Sequence, residues 1–562
     1  MKTRIITTIA ALFIALASSA QGHVSERVYL STDKAAYVAG DMVWGSVFCM
    51  DARTGLLSDF SGVAYVELHS SEGLVQAGKA ALKEGRGVCN IKLQNTLPTG
   101  NYKLIAYTTQ NRNEDFFDSD KYAKVISIFN TLSTEKLEGG VEIVDDEEYL
   151  SMSADPYRTS GELEIKAGKP EGWILPISIA NNGLQPASLS VSVYHKDAVL
   201  PARSANVIDF VDKMESTRTS SWTMKYTPEY EGEIVRARVA GIAQSEIASL
   251  KGKAVFISTP GEGSDMYSAE LDAEGNVEFY TGNIYGDKDM VMEIEGLEDG
   301  MTCHMEPVSP FYTPSLTAAP KLRMAKCLDT SLRARNAGMK MEYDMRTDTL
   351  WTYLPLQTSS LLSGESKEYI LDDYTRFPLM DEVIVEFVTE MQIRNNGKGG
   401  KEIRILMDDV EGGSYFASGT TLVMVDGVPV LDQQKIIDYD PLLVKRINIF
   451  PNSYSIGSKS YSGIANFETY KRNMPGISFA DNVRIVSFKG ASYPVEYSCL
   501  DLPEDTDDYR QTIFWNPLTD IPAEGETSIR CRIPSYSGEF EIVVEGFSTD
   551  GKPICLHHSI KL

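Results

Sequence analysis

The residues of this chain that could carry nucleophilic or metal chemistry are seven cysteines and six histidines. Cys49, Cys89, Cys303, Cys327, Cys499, Cys531 and Cys555 are dispersed and form no C-x-x-C pair, so they match neither a zinc ribbon nor a disulfide-dense small scaffold. His23, His69, His195, His304, His557 and His558 form no H-E-x-x-H or H-x-H pattern. His557 and His558 with Cys555 make a short metal-like group, but neighbouring side chains of a strand point to opposite faces and cannot readily share one ion. No G-x-S-x-G elbow for a serine hydrolase is present. The acidic run 502–508 could be written as an acid and a base, yet a solvated loop explains it with fewer assumptions. The same holds for Asp145, Asp146, Glu147 and Glu148, which read as an acidic linker rather than a calcium site. No catalytic, metal or cofactor-binding residue is assigned, and the chain is read as a non-enzyme.

The elements that would position these residues are mostly strands. The chain has 562 residues, enough for three to five domains. Hydrophobic residues are 43% and charged residues 23%, the balance of folded domains rather than disorder. With 79 acidic and 53 basic residues the formal charge is −26, which argues against binding nucleic acid or anionic lipid. Residues 1–20, MKTRIITTIAALFIALASSA, have basic residues at Lys2 and Arg4, a short apolar run, and small residues before a cleavage point. They read as a secretory signal peptide, and no later apolar run is long enough to span a membrane as a helix. The mature chain is expected to be exported. An odd number of cysteines then leaves at least one thiol without a partner in the chain.

Residues 24–132 alternate in short strands, at 27–30, 42–50, 64–69, 89–93 and 103–108, separated by turns at 37–41 and 97–102. This pattern predicts a β-sandwich, with Tyr37, Gly40 and Gly100 setting turns and Trp44 packing. Alternation places Val43, Gly45, Val47 and Cys49 on one face, and Cys89, Ile91 and Leu93 on one face of another strand. If both faces point inward, Cys49 and Cys89 could meet as a disulfide. The segments ERVYLSTDKAAYVAGDMVWGSVFCMDARTG, SGVAYVEL and LPTGNYKLIAYT resemble the macroglobulin-type immunoglobulin-like domain of bacterial relatives of alpha-2-macroglobulin. Complete macroglobulins trap proteases through a thioester formed by a Cys and a Gln in a C-G-E-Q-type run. No cysteine here has that context, so the resemblance does not imply covalent trapping.

Residues 150–226 alternate again and predict a second β-sandwich. Residues 229–300 predict a third, similar to carboxypeptidase-regulatory-like modules. Residues 301–375 read as a connecting region, with a helix over 318–345 whose Leu322, Met324, Cys327, Leu328 and Leu332 lie near one face. In residues 376–475, Pro378 precedes a helical stripe of Leu379, Val383, Ile384, Phe387, Val388 and Met391. A strand at 403–407 follows. Residues 421–430 then read as a strand, an Asp426-Gly427 turn and a short strand through Pro429. Asp440-Pro441 makes a turn, 444–449 a strand, 454–463 a loop with Gly457 and Gly463, and 464–470 a closing strand. The glycines lack the spacing of a phosphate-binding loop and read as turn residues.

The order LVMVDGVPV, DPLLVKRINIF and GIANFETYK resembles the plug domain of TonB-dependent outer-membrane receptors, with Asp426, Gly427, Pro429, Asp440, Gly457 and Gly463 as the motif. Ile456 stands before Gly457 where the family usually has Tyr. Only some 90 residues follow position 472, too few for a barrel of about 22 strands. Residues 480–562, with strands at 483–486, 512–517, 528–533 and 540–545, read as a last β-sandwich resembling the C-terminal sandwich of multidomain Gram-negative envelope proteins.

The fold class expected is mainly β, with tandem immunoglobulin-like sandwiches and a small α+β plug-like domain. The resemblances imply a non-enzymatic binding or scaffold protein of the periplasm or outer membrane. Its partner would be an envelope protein, an outer-membrane β-barrel among the candidates. Two rivals stay open: a glycan-binding surface protein, which an exposed aromatic platform would favour, and a protease-inhibitor-like macroglobulin relative without a thioester. Trp44, Trp173, Trp222, Trp351 and Trp515 are too scattered in sequence to decide between them.

Overall fold

The computed structural model describes residues 24–114, 117–152, 157–160, 162–215, 223–261, 264–297, 301–345, 350–356, 361–362, 364–397, 400–408, 413–504 and 506–562. The segment 1–20, expected as a signal peptide, and His23 and Trp222 lie outside them. The chain is mainly β and divides into two units, each assembled from separated stretches of sequence. The first holds residues 24–232, 311–356 and 491–562, and the second holds 233–310 and 357–490.

In the first unit, Glu26–Thr32, Met42–Asp51, Leu56–Leu57 and Arg86–Lys92 form one sheet. Ala36–Val38, Lys124–Phe129, Gly100–Tyr107, Val63–Ser70 and Gly73–Ala81 form the sheet packed against it. The apolar alternation explains the pairing: Val43, Val47 and Cys49 enter the shared core with Val66, Leu68, Leu104 and Ile126. The other face of Met42–Asp51 is buried too, because Phe48 and Met50 pack with Tyr29, Phe210 and Phe547, and Trp44 packs with Tyr497 and Trp515. A strand covered on both faces is buried along almost its whole length, as this one is.

The expected Cys49–Cys89 disulfide is not formed; all seven cysteines are free thiols. The two residues lie on adjacent strands of one sheet, not on facing sheets, and Cys89 is opposite Gly45. Cys49 is four residues farther along, on the order of 13 Å at the rise of an extended strand, which no disulfide spans. Cys89 packs over Gly78, whose missing side chain leaves room for the sulfur: a Cβ there would come within 2.7 Å of Sγ. Cys49 lies instead beside the Glu26 carboxylate, and burial pushes its thiol pKa well up.

The expected separate sandwiches at 150–226 and 480–562 are one. Leu163–Ala167, Ile174–Asn181 and Glu526–Arg532 make its small sheet. Ala187–Lys196 lies between Thr512–Ile521 and Glu539–Ser548 in its large sheet, which Pro553–Lys561, Val495–Tyr497 and Trp351–Tyr353 complete. The local pattern marked each strand, but partners more than 300 residues apart in sequence leave no mark in it. The helix expected over 318–345 is confined to Asp329–Asp344. Leu322–Met324 before it is a strand paired with Val141–Ile143, so its leucine is buried by sheet pairing and not by a helical face. The acidic segment 145–148 is the start of a short helix, Asp146–Ser151, capped by Asp145 through a 2.7 Å bond from the Glu148 amide.

In the second unit, Ile234–Ala240, Asn276–Tyr280 and His304–Pro307 pack against Met266–Glu270, Ala254–Ser258, Asp287–Ile294 and Arg484–Lys489. The last of these was expected in the C-terminal sandwich, but it pairs with Asp287–Ile294. The rest of the unit is an α+β layer. Its main sheet runs Lys367–Ile370, Val444–Ile456, Lys459–Thr469, Leu422–Val425, Val428–Pro429. Met391–Asn395, Lys401–Asp408 and Ser414–Phe416 make a second small sheet. The helix Met380–Phe387 lays Met380, Val383 and Ile384 into the core between them.

Candidate functional site

The residues singled out in 376–475 are ordered by backbone chemistry. Asp426 and Gly427 both have positive φ, +51° and +82°, the backbone of a two-residue hairpin turn between Leu422–Val425 and Val428–Pro429. Pro429 lies opposite Met424 in that hairpin and is buried. The Asp426 carboxylate is buried and accepts three hydrogen bonds, from the Thr469 amide (2.7 Å), the Thr469 hydroxyl (2.7 Å) and the Met474 amide (2.8 Å). The Gly427 amide donates to Asn466 Oδ1 at 3.0 Å. The turn is thereby clamped to the end of Lys459–Thr469, which runs parallel to Leu422–Val425. Asp440 caps the short helix Pro441–Leu443 by accepting from the Leu442 amide at 2.9 Å.

The stretch 454–463, expected as a loop, is a hairpin: Val444–Ile456 and Lys459–Thr469 pair through Ile456 and Lys459, with Gly457 at its tip. Gly463 lies within the second strand with φ +87°, and a side chain there would press on Ile405. The six motif residues each meet a different neighbour and are turn, cap and packing residues.

What sequence reasoning missed is the surface beside them. Tyr374 and Phe387 stack with ring centroids 4.5 Å apart and planes within 5°, and Phe377 leans on Phe387 at 5.9 Å. Leu379, expected on the buried stripe of the helix, is the extended residue before it and is 55% exposed, and Val385 within the helix is 72% exposed. Met380, Val383 and Ile384 share one side of this two-turn helix, and at about 100° per residue Val385 falls on the other side and faces water. The stretch 372–386 carries five acidic residues, Asp372, Asp373, Asp381, Glu382 and Glu386. Tyr470 donates to Asp372 at 2.5 Å. Behind the surface, Tyr369 and Lys367 both bond the Glu390 carboxylate. Burial works to raise that carboxyl, but the bonds from Tyr369 and Lys367 outweigh it and hold the pKa below its ordinary value.

A cavity of about 410 Å³ opens beside the hairpin, lined by Pro429, Asp432, Lys435, Phe479, Glu293 and Glu295 among others. Burial pushes the Glu293 carboxyl up to about 7, against the opposing pull of Lys435.

The remaining expected clusters are not sites. His557 lies flat on Tyr157 and pairs with Glu541 at 3.3 Å, while Cys555 is buried and accepts from Asn206. Among the described residues no group of three or more His, Cys, Asp or Glu could hold a metal ion. In the run 502–508, Asp505 lies outside the described residues, and Asp508 is not solvated: it forks to the fully buried Arg510 at 2.7 and 2.9 Å. Trp44, Trp351 and Trp515, scattered in sequence, meet in one cluster with Tyr497, ring centroids 5.2 to 5.4 Å from Trp44. Trp44 and Trp515 are buried, so the cluster is packing and not a platform. No described helix is long and apolar enough to cross a membrane.

No family model matches the chain, and no curated protein matches it. Among solved structures, trypsin-activated alpha-2-macroglobulin from Escherichia coli is 7% identical at a TM-score of 0.23, covering 96% of this chain and 41% of that one. The Escherichia coli adhesin FdeC is 10% identical at a TM-score of 0.14, covering 49% of this chain and 61% of that one. The Yersinia pseudotuberculosis adhesin InvE is 11% identical at 0.14, covering 51% and 60%. The chain spans about two fifths of the macroglobulin's length. Likenesses this slight support no argument about activity.

Proposed function

We propose that the chain is a non-enzymatic binding protein of the bacterial envelope, exported through its first 20 residues, whose 376–475 segment docks an envelope protein. The observation that carries this reading is the aromatic and aliphatic surface of 374–387. Tyr374 is 41% exposed and stacked on Phe387, with Leu379 and Val385 more exposed still. Several large apolar side chains exposed within about 15 residues, among acidic ones, are a mark of a protein-binding face. The acidic residues of the same stretch call for a partner with a basic rim. The plug-like sequence motif supports an outer-membrane barrel or its assembly complex as that partner.

The test is co-purification from gently cross-linked envelopes with the intact chain and with Leu379→Asp/Val385→Asp. Loss of a barrel protein from the variant's eluate, with unchanged folding, supports docking through this face. Retention of the same partner moves the interaction to the sandwiches.

A further inference from the structure

The first unit contains a cavity of about 620 Å³, well away in sequence from the docking segment. That volume falls within the roughly 300–1,000 Å³ of small-molecule sites. One side is aromatic. Tyr157 lies on His557 with planes 5° apart, and Glu541 holds the imidazole at 3.3 Å while accepting the Ser559 hydroxyl at 2.9 Å. The hydroxyls of Tyr157 and Tyr194, both lining the cavity, make no hydrogen bond with any described residue. Another side is a fixed polar wall: Arg335 forks to Asp197 at 2.7 and 3.0 Å and donates to the Ala36 carbonyl at 2.7 Å.

The charge of the described residues around the opening is one-sided. Among the described residues, Lys196, Arg203, Lys321 and Arg323 line it and are exposed, whereas the two described lining carboxylates, Asp197 and Glu541, are largely shielded and already engaged. Lys196 pairs with Glu539 at 3.2 Å and Glu541 at 3.6 Å, and Arg323 with Glu142 at 3.2 Å. Exposed pairs of that kind are weak and readily exchanged for a bound anion. Such a gathering of cations stands out on a chain of formal charge −26.

We propose that this cavity binds a small saccharide bearing one anionic group, a carboxylate or a phosphate ester. The anion sits at Arg203 and Lys321, whose charges attract it. The sugar ring lies against Tyr157 and Tyr194, whose rings take its apolar face and whose hydroxyls bond its hydroxyl groups. This site is independent of the docking face and stands or falls separately from it.

The test is calorimetric titration of the full mature chain with glucuronate, glucose 6-phosphate and glucose. Saturable binding of at least one anion, with glucose about tenfold weaker or more, supports the site. Binding of glucuronate alone assigns a carboxylate ligand, and binding of glucose 6-phosphate alone assigns a phosphate ester. Arg203→Glu/Lys321→Glu should weaken that binding at least about tenfold, while Lys166→Glu, an exposed side chain outside the cavity, leaves it unchanged. If the double reversal does not fold, Tyr194→Phe serves in its place and must weaken binding severalfold. Saturation by neither anion, equal binding of glucose, or affinity unmoved by these variants overturns the proposal.

Discussion

Asp426 and Thr469 are joined twice, the carboxylate accepting from both the amide and the hydroxyl of the threonine at 2.7 Å. The pair ties a hairpin turn to the end of a strand 43 residues later. A third bond from the Met474 amide closes the loop that follows. This clamp explains why an acidic residue is buried at a turn, where a solvated side chain would serve the turn alone.

Asp426→Ala is therefore expected to destabilise the second unit by about 3 kcal/mol, since it leaves two buried amides and a hydroxyl without their acceptor. Urea denaturation of the full chain, followed by a probe within that unit, measures it. Loss of less than about 0.5 kcal/mol would show that the clamp is dispensable.

Gly427→Ala tests the turn itself. Its φ of +82° disfavours a side chain, and a Cβ would land 2.0 Å from Ser264 Oγ. A cost of about 1–3 kcal/mol is expected by the same measurement.

Glu293→Gln should change the pH dependence of stability. The folded carboxyl is pushed up to about 7 from an ordinary 4.5, so the folded state holds its proton more tightly than the unfolded chain does. Its contribution is fully present below about pH 4.5 and is lost as the pH rises to about 7. The glutamine variant is expected to match the wild type at pH 4 and to exceed it at pH 8. Denaturation midpoints at the two values decide, and a difference that ignores pH would remove Glu293 as the cause.

The buried Arg510–Asp508 fork predicts strong non-additivity. Arg510→Met alone strands a carboxylate that is 1% exposed and should cost about 3–5 kcal/mol. Asp508→Asn/Arg510→Met should cost less than the two single changes together, as a thermodynamic cycle by chemical denaturation would show.

Cys49 and Cys89 should be recovered in unlinked peptides when the chain, purified from an oxidising compartment, is alkylated, digested and mapped without reductant. A linked peptide would mean that the strand register between Met42–Asp51 and Arg86–Lys92 differs from the one found.

Much of the fold is written locally. Alternation at 42–50 marks the strand Met42–Asp51, Asp426-Gly427 marks the hairpin between Leu422–Val425 and Val428–Pro429, and a helical stripe among strands marks the α+β character of 376–475. Each depends on side-chain period or on backbone preference over a few residues, which neighbours in sequence suffice to express. Strand pairing is different. Ala187–Lys196 finds both its partners beyond residue 500, and Arg484–Lys489 leaves the C-terminal stretch to pair with Asp287–Ile294, because edge complementarity and core volume act only once the chain is compact. The same holds for the candidate sites. The turn residues were legible because they obey local rules, whereas the outward Leu379 depends on what packs against one short helix. The cavity needs Tyr157, Tyr194, Arg203 and Lys321 brought together from three separate stretches of chain, and only the tertiary structure does that.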